Sequence, residues 1–268
     1  MDRADVLTSY LDALGLERAT PSADFLTELV SRHVARIPFS SVGPMLGDDL
    51  PLDLVSLHDR LIVRRRGGYC FEQNRLMFEM LEELGFRVHR HLARVVYGGD
   101  PDPPLNHRVT IVDVDGVRFI TDVGFGGIGP VAPIPMQGPS PEPTWRAFRV
   151  TTADDGRAIV EAERKGGFTP LYVIEVGEAG EIDCDRGHVA SHRVPDARFV
   201  NHLVVMRTWV DEVRSLSDRS YVVQRPSGDV REVVASADRL HEILTEEFEL
   251  DVTPDESGRL FAQVFDAS

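Results

Sequence analysis

Three residues of this chain have the types and spacing for nucleophilic catalysis: Cys70, His107 and Asp122. A cysteine attacks a carbonyl as its thiolate, so it needs a base to take its proton and a third group to orient that base. Cys70 closes the run Arg64-Arg65-Arg66-Gly67-Gly68-Tyr69-Cys70, where a loop gives way to a predicted helix. Phe71, Met77, Phe78, Leu81 and Leu84 recur at helical spacing and stop at Gly85, a natural residue to end a helix. Cys70 then occupies the first turn, where free N–H groups and the positive end of the helix dipole favour a thiolate. The two glycines before it are expected to leave room for a substrate. For an arbitrary cysteine the commoner role is a small buried apolar residue. The company Cys70 keeps decides against it.

That company lies on one hairpin. Residues 106–114 and 117–123 are β-rich runs separated by Asp115-Gly116, the strongest short hairpin signal. A two-residue turn sets Val114 opposite Val117, Val109 opposite Asp122 and His107 opposite Gly124. With side chains alternating along each strand, Asp122 becomes a diagonal neighbour of His107, about 7 Å away or less. A carboxylate there accepts from one imidazole nitrogen and turns the other towards Cys70. Gly124 is expected to leave the space opposite the ring empty. A three-residue turn would flip Asp122 to the other face.

These residues resemble the signatures of the arylamine N-acetyltransferase family. The resemblance is carried by Arg66-Gly67-Gly68-Tyr69-Cys70-Phe71-Glu72-Gln73-Asn74, by His107 and by Asp122-Val123-Gly124-Phe125-Gly126. It extends upstream to His33–Phe39 and downstream to Leu171-Tyr172 and Ser191–Phe199, nearly the whole chain. One departure is Ser40-Ser41, where the family has a Glu-Asn pair, which bears on acceptor specificity.

The resemblance implies a Cys70–His107–Asp122 triad, acetyl-CoA as co-substrate with no permanently bound cofactor, and a small amine acceptor. It also implies an α+β fold with a cysteine-protease-like core: an N-terminal helical bundle, a central antiparallel β-barrel and a C-terminal α/β lid. Expected substrate or CoA contacts are Phe39, Arg66, Gly68, Tyr69, Val95, Gly124, Phe125, Gly126 and Gly127. Arg66 is further expected to fix the Cys70 loop by hydrogen bonds.

The elements that must position the triad can be outlined from the pattern. Up to Gly85 the chain reads as helices: Val6–Leu14 ending at Gly15, Phe25–Val34 after Thr20-Pro21, Leu54–Leu61 after Asp53, and the Cys70 helix. From Arg87 to Glu175 strand patterns take over at Val88–Tyr97, the hairpin, Trp145–Val150, Ala158–Glu163 and Leu171–Glu175, enough to curl into a barrel. Gly98–Pro104 and Pro130–Pro143 read as Pro-rich loops. Phe199–Arg207, Tyr221–Arg225 and Val230–Val234 read as strands, and Asp238–Phe248 as an amphipathic helix. The expected divisions are 1–85 with the nucleophile, 86–190 with the base and its orienter, and 191–268 as the lid.

Composition narrows the class of protein. At 268 residues, 42% hydrophobic, the chain buries a substantial core. A net charge of −15 argues against a nucleic-acid binder. The start of the chain lacks the regions of a signal peptide and no apolar run is long enough to span a membrane, so a cytoplasmic location is expected. Two cysteines, with Cys70 required free, agree with a reducing compartment. His89 and His91 lack the further ligands of a metal site. His188, His192 and His202 are irregularly spaced, and the glycines of Gly124–Gly129 do not match a dinucleotide loop. That segment reads as a tight turn, with Phe125 walling a pocket and Gly126 and Gly127 admitting substrate.

The chemistry expected is ping-pong acyl transfer: Cys70 attacks an acyl-CoA thioester, and an amine or hydrazine then takes the acyl group. Oxyanion donors are expected among the N–H groups at the start of the Cys70 helix. Three other readings share part of the pattern. A papain-like hydrolase is disfavoured, because His107 follows Cys70 by only 37 residues, which leaves a transglutaminase-like hydrolase. A related amide synthase would close a macrolactam on an acyl carrier protein, docking on a basic patch around Arg64-Arg65-Arg66. A non-enzymatic binding module would have no use for an intact triad.

Overall fold

A computed structural model of the chain describes residues 2–99, 103–138, 146–164 and 166–266. Helix α1 (Arg3–Leu14) starts with the Asp2 carboxylate accepting from the Asp5 N–H, and buries Val6, Leu7, Tyr10, Leu11 and Leu14. Ser22 caps α2 (Ala23–Arg36), so the N-terminus is set by its hydroxyl rather than by Thr20-Pro21. A two-residue strand, β1 (Phe39–Ser40), and a short helix, α3 (Val42–Leu46), follow. Asp53 caps α4 (Leu54–His58), which runs on as a π-helical turn, Asp59–Val63. Helix α5 (Cys70–Leu84) ends at Gly85 in the left-handed conformation.

The barrel is built from β2 (Arg87–Val95), β3 (His107–Val114), β4 (Val117–Thr121), β5 (Ile134–Pro135), β6 (Phe148–Thr152), β7 (Ala158–Arg164) and β8 (Gly167–Ile174). Among the described residues these pair antiparallel in the order β5-β4-β3-β2-β8-β7-β6. The edge strands β5 and β6 meet, so the sheet curls into a nearly closed barrel around Ala93, Val109, Ile120, Val160, Leu171 and Tyr172. The β3–β4 hairpin has the expected register, with Val114 opposite Val117 and Thr110 opposite Thr121. Asp115 and Gly116 both take positive φ in its two-residue turn.

Helix α6 (Glu181–Arg193) and the helical turn α7 (Arg198–Asn201) lead to strands β9 (Val204–Thr208), β10 (Val213–Ser217), β11 (Ser220–Gln224) and β12 (Val230–Val233). Helix α8 (Ala237–Glu242), continued by a π-helical turn, Ile243–Glu247, and helix α9 (Pro254–Asp266) complete the chain. The second sheet runs β1-β9-β10-β11-β12. Its core joins Val205, Leu216, Leu240, Phe248 and Leu260 to Val42 and Met45. Because β1 is its edge strand and Phe39 bridges Gly68, this C-terminal α/β layer is tied to the segment just before Cys70. The α+β architecture of helical bundle, antiparallel barrel and α/β layer is therefore present.

Several expectations need correction. The predicted strand from Phe199 begins only at Val204, since Phe199 lies in the turn α7. Helices α6 and α9 and strand β10 lie outside every segment outlined from the sequence. Asp100–Asp102 and Pro139–Pro143 of the predicted loops, and Trp145 of a predicted strand, lie outside the described residues.

Candidate active site

Cys70 is the first residue of α5 and is 3% exposed. Its N-terminal frame is dense with hydrogen bonds. Glu72 reaches back to accept from the Tyr69 N–H at 3.1 Å, and its buried carboxylate pairs with Arg60. Burial raises the pKa of Glu72, and Arg60 opposes the rise. Gln73 donates to the carbonyls of Pro38 at 3.0 Å and Gly68 at 2.8 Å, and its oxygen lies 2.9 Å from His33 Nε2. The segment from His33 to Phe39 is thus fastened directly to α5.

Gly67 and Gly68 serve this frame rather than opening it. A Cβ on Gly67 would stand 2.7 Å from the Ser40 Cβ, and one on Gly68 would stand 2.7 Å from Leu61. The room expected for substrate is filled by protein. Ser41 holds β1 to β9, its hydroxyl donating to the His202 carbonyl and accepting from the Val204 N–H, both at 2.8 Å. Ser40 Oγ accepts from the Val42 N–H at 3.2 Å.

His107 opens β3 and Asp122 follows the last residue of β4. The ladder stops at Thr121, so Asp122 is not a ladder neighbour of His107. Its Oδ1 accepts from the Gly124 N–H at 3.0 Å, a side-chain turn that swings the carboxylate inward. Oδ2 then accepts from His107 Nε2 at 2.7 Å, with both side chains buried. Nε2 being occupied, Nδ1 is the nitrogen left for Cys70. The thiol also points at the Asn106 carbonyl, at 3.6 Å.

Gly124 does not leave the space opposite the ring empty. A Cβ there would lie 2.6 Å from the Cys70 Cα and 2.8 Å from Asn74 Nδ2, so the glycine lets the 122–124 turn press against the start of α5.

Burial by itself would push the His107 pKa down. The neighbouring Asp122 charge and hydrogen bond, helped by a hydrogen bond to Cys70, outweigh this and raise it to about 10. For Asp122, burial raises the pKa, but His107, Asn74 and the Gly124 N–H together hold it below its ordinary value. The pair is therefore favoured in its charged form. Tyr172 flanks it, its ring 5.0 Å from His107 and 5.2 Å from Phe125.

A cleft beside Asp122 is lined by Val34, Ile37, Phe39, Val123, Phe125, Gly126, Gly129, Pro130, Met206 and Thr208. Phe125 meets His107 edge-on at 5.4 Å. Met206 sits against Gly126 and Gly127, where a Cβ would come within 2.9 Å and 3.2 Å of its sulfur. These glycines therefore admit a methionine.

The other residues expected at substrate lie elsewhere. Arg66 binds Glu256 with two hydrogen bonds, at 2.8 and 2.9 Å, and the Asp251 carbonyl at 2.6 Å, tying the Cys70 loop to α9. Tyr69 is fully buried, its hydroxyl 2.5 Å from His188 Nδ1. Val95 packs beside the barrel core, and its N–H donates to Asn106 at 2.9 Å. His89 lies between Asp113 and Glu178.

Two contributors were not singled out from the sequence. Asn74, one helical turn after Cys70, donates to Asp122, and its spacing alone puts it on the same face of α5. Met206 carries no comparable signal.

The sequence profile of the N-acetyltransferase family matches residues 22–257. The arylamine N-acetyltransferase of Mycobacterium tuberculosis H37Rv is 35% identical over 256 residues, covering 92% of this chain and 89% of that protein. The solved arylamine N-acetyltransferase of Salmonella typhimurium superposes with a TM-score of 0.90 at 26% identity, over 96% of this chain and 98% of that one. The Mycobacterium marinum arylamine N-acetyltransferase in complex with CoA gives 0.89 at 30% identity, over 96% and 98%. With sequence and fold matched over nearly their full lengths, the chain belongs to the arylamine N-acetyltransferase family.

Proposed function

We propose that the protein moves an acetyl group from acetyl-CoA, through a thioester on Cys70, to an arylamine, hydrazine or related amine. The observation that carries this reading is the buried His107–Asp122 hydrogen bond beside Cys70, at the first turn of a helix in a fold shared with N-acetyltransferases. His107, protonated and held by Asp122, keeps Cys70 as its thiolate. The sulfur attacks the thioester carbonyl, and N–H groups at the start of α5 steady the oxyanion. CoA leaves as its thiol. The acceptor nitrogen then attacks the Cys70 thioester, losing its proton to His107. Residues 1–85 supply the nucleophile, 86–190 the base and its orienter, and 191–268 close one side of the cleft.

Phe39, Phe125 and Met206 give the cleft beside Asp122 apolar walls. The M. marinum relative was solved with CoA, which supports a CoA thioester as donor. Similarity to N-acetyltransferases gives no support to a macrolactam-closing amide synthase with a carrier protein, or to a transglutaminase-like hydrolase. Steady-state kinetics with acetyl-CoA and an aniline or an acyl hydrazide test the proposal. Parallel double-reciprocal lines are expected. Intersecting lines, or acetyl-CoA consumption only by water, contradict it.

A further inference from the structure

Helix α6 carries no residue that the proposed reaction consumes, yet it grips both chain segments that form the site. At its first turn, Glu181 pairs with Arg108 Nη1 at 3.3 Å, with Arg90 Nε at 2.7 Å and with Arg75. Arg108 directly follows His107, and Arg75 follows Asn74. In mid-helix, Gly187 lies so close to its neighbours that a Cβ would stand 2.6 Å from Phe71 Cζ and 2.9 Å from the Leu105 carbonyl oxygen. Phe71 follows Cys70, and Leu105 lies two residues before His107. One helix thus touches the residues next to the nucleophile and next to the base.

At its far end α6 holds Tyr69, the residue that caps the Cys70 helix, through a chain of hydrogen bonds. His188 Nε2 is 2.7 Å from the Leu50 carbonyl, which only accepts, so Nε2 carries the proton and Nδ1 is free to accept. The Tyr69 hydroxyl, 2.5 Å from that Nδ1, donates to it, with the His188 carbonyl also in reach at 3.1 Å. His192 Nδ1 is 2.7 Å from the His188 carbonyl and therefore donates, with the Tyr69 oxygen also in reach at 3.2 Å. His192 Nε2 is left to accept from Arg193 Nε at 3.2 Å.

Both imidazoles are neutral in this arrangement. Burial pushes His188 down to about 3, helped by His192, and pushes His192 below its ordinary value. The phenol ring stacks on His188 at 5.6 Å and meets Phe199 at 5.4 Å. Tyr69 is fixed at its hydroxyl by α6 and at its backbone by Glu72, so its position sets that of the next residue.

We propose that α6, through the His188–Tyr69–His192 hydrogen-bond chain, sets where the first turn of α5, and with it the Cys70 sulfur, stands relative to His107. Tyr69, His188 and His192 are on this account positioning residues for acyl transfer. The inference rests on Cys70 as the nucleophile. A displacement of about 1 Å in a reacting group can cost on the order of 100-fold in rate, so loss of this restraint should show in Cys70 reactivity well below the melting temperature.

The test is the second-order rate of Cys70 alkylation by iodoacetamide, read at the Cys70 peptide to exclude Cys184, with each variant folded. Tyr69→Phe keeps the ring and removes the hydroxyl, and with it both of its acceptors; His188→Leu removes the shorter, ring acceptor and keeps the backbone one; His188→Asn restores a side-chain acceptor oxygen. Leu240→Ala, in the C-terminal core, controls for lost stability. Tyr69→Phe and His188→Leu should be alkylated about tenfold more slowly. His188→Asn should regain most of that rate, and Leu240→Ala should match the parent protein. The proposal is overturned if Tyr69→Phe and His188→Leu react at the parent rate, if His188→Asn is no better than His188→Leu, or if Leu240→Ala slows equally. The assay uses no acetyl-CoA. Failure of the parent protein to form an acetyl-enzyme therefore counts against the proposed function alone, while parent-like alkylation of the variants counts against the positioning role of the His188–Tyr69–His192 chain alone.

Discussion

Asn74 Nδ2 donates to Asp122 Oδ1 at 2.9 Å, binding the helix of the cysteine to the carboxylate that orients the histidine. The same amide donates to the Arg108 carbonyl at 2.6 Å, and its oxygen accepts from the Val123 N–H at 3.0 Å. One buried side chain therefore sets the spacing of α5, β3 and the turn after β4.

Replacing Asn74 with Ala leaves a buried carbonyl, N–H and carboxylate oxygen each short of a partner. Stability should fall by about 3 kcal/mol in urea unfolding, and kcat/KM for acetyl-CoA by at least tenfold. Asn74→Asp should be worse, because it sets a second carboxylate against Asp122. Parent-like kinetics in both variants would remove Asn74 from the site.

Gly124→Ala introduces a Cβ 2.6 Å from the Cys70 Cα, with backbone rather than a flexible side chain on the other side. The turn must move away from α5, taking Asp122 with it. Acetylation of Cys70, followed in a single turnover, should slow by about 100-fold, with a stability loss of about 2 kcal/mol.

The charged His107–Asp122 pair predicts a definite pH dependence. His107 rises from 6.5 to about 10 on folding, so its stabilising contribution is complete below pH 6.5 and is lost as pH rises towards 10. Asp122 is held below 3.8, so its contribution is present above that pH and is lost as pH falls. The stability difference between the parent protein and Asp122→Asn, from urea unfolding, should therefore be largest between about pH 4 and 6.5 and shrink above that window. A difference that stays level from pH 6.5 to 10 would mean that the histidine is buried neutral.

Arg66 and Glu256 link the Cys70 loop to α9, with side chains 12% and 19% exposed. The Arg66 hydrogen bonds pull the Glu256 pKa from 4.5 to about 2. That contribution is intact above pH 4.5 and is lost as pH falls towards 2. Glu256→Gln should cost about 2 kcal/mol at pH 7 and much less at pH 3, read from unfolding midpoints at each pH.

What could be read from the sequence was what local chemistry dictates. Gly15 and Gly85 end helices because they adopt the left-handed conformation, and Asp115-Gly116 sets a register because two positive φ values suit a two-residue turn. That register brought His107 and Asp122 to one end of the hairpin. The final approach of the carboxylate depends on the Gly124 N–H and on Asn74, contacts made only once the chain turns against α5.

Helix α6 stayed hidden because its buried face is Cys184, Gly187, His188 and His192, which shows no apolar stripe. Among His188, His192 and His202 the spacing in sequence is irregular, yet His188 and His192 lie one turn apart on that helix. The glycines at 67, 68, 126 and 127 suggested room for a ligand; tertiary packing assigns that room to Ser40, Leu61 and Met206.

The central claim is that Cys70 carries the acyl group. Intact-mass analysis after brief exposure to acetyl-CoA tests it most directly, with the adduct mapped by peptide and Cys70→Ala run alongside. The account predicts one acetyl group, on Cys70, absent in Cys70→Ala and discharged by an added arylamine or hydrazine. An unmodified parent protein, or an acetyl group that persists in Cys70→Ala, would contradict it.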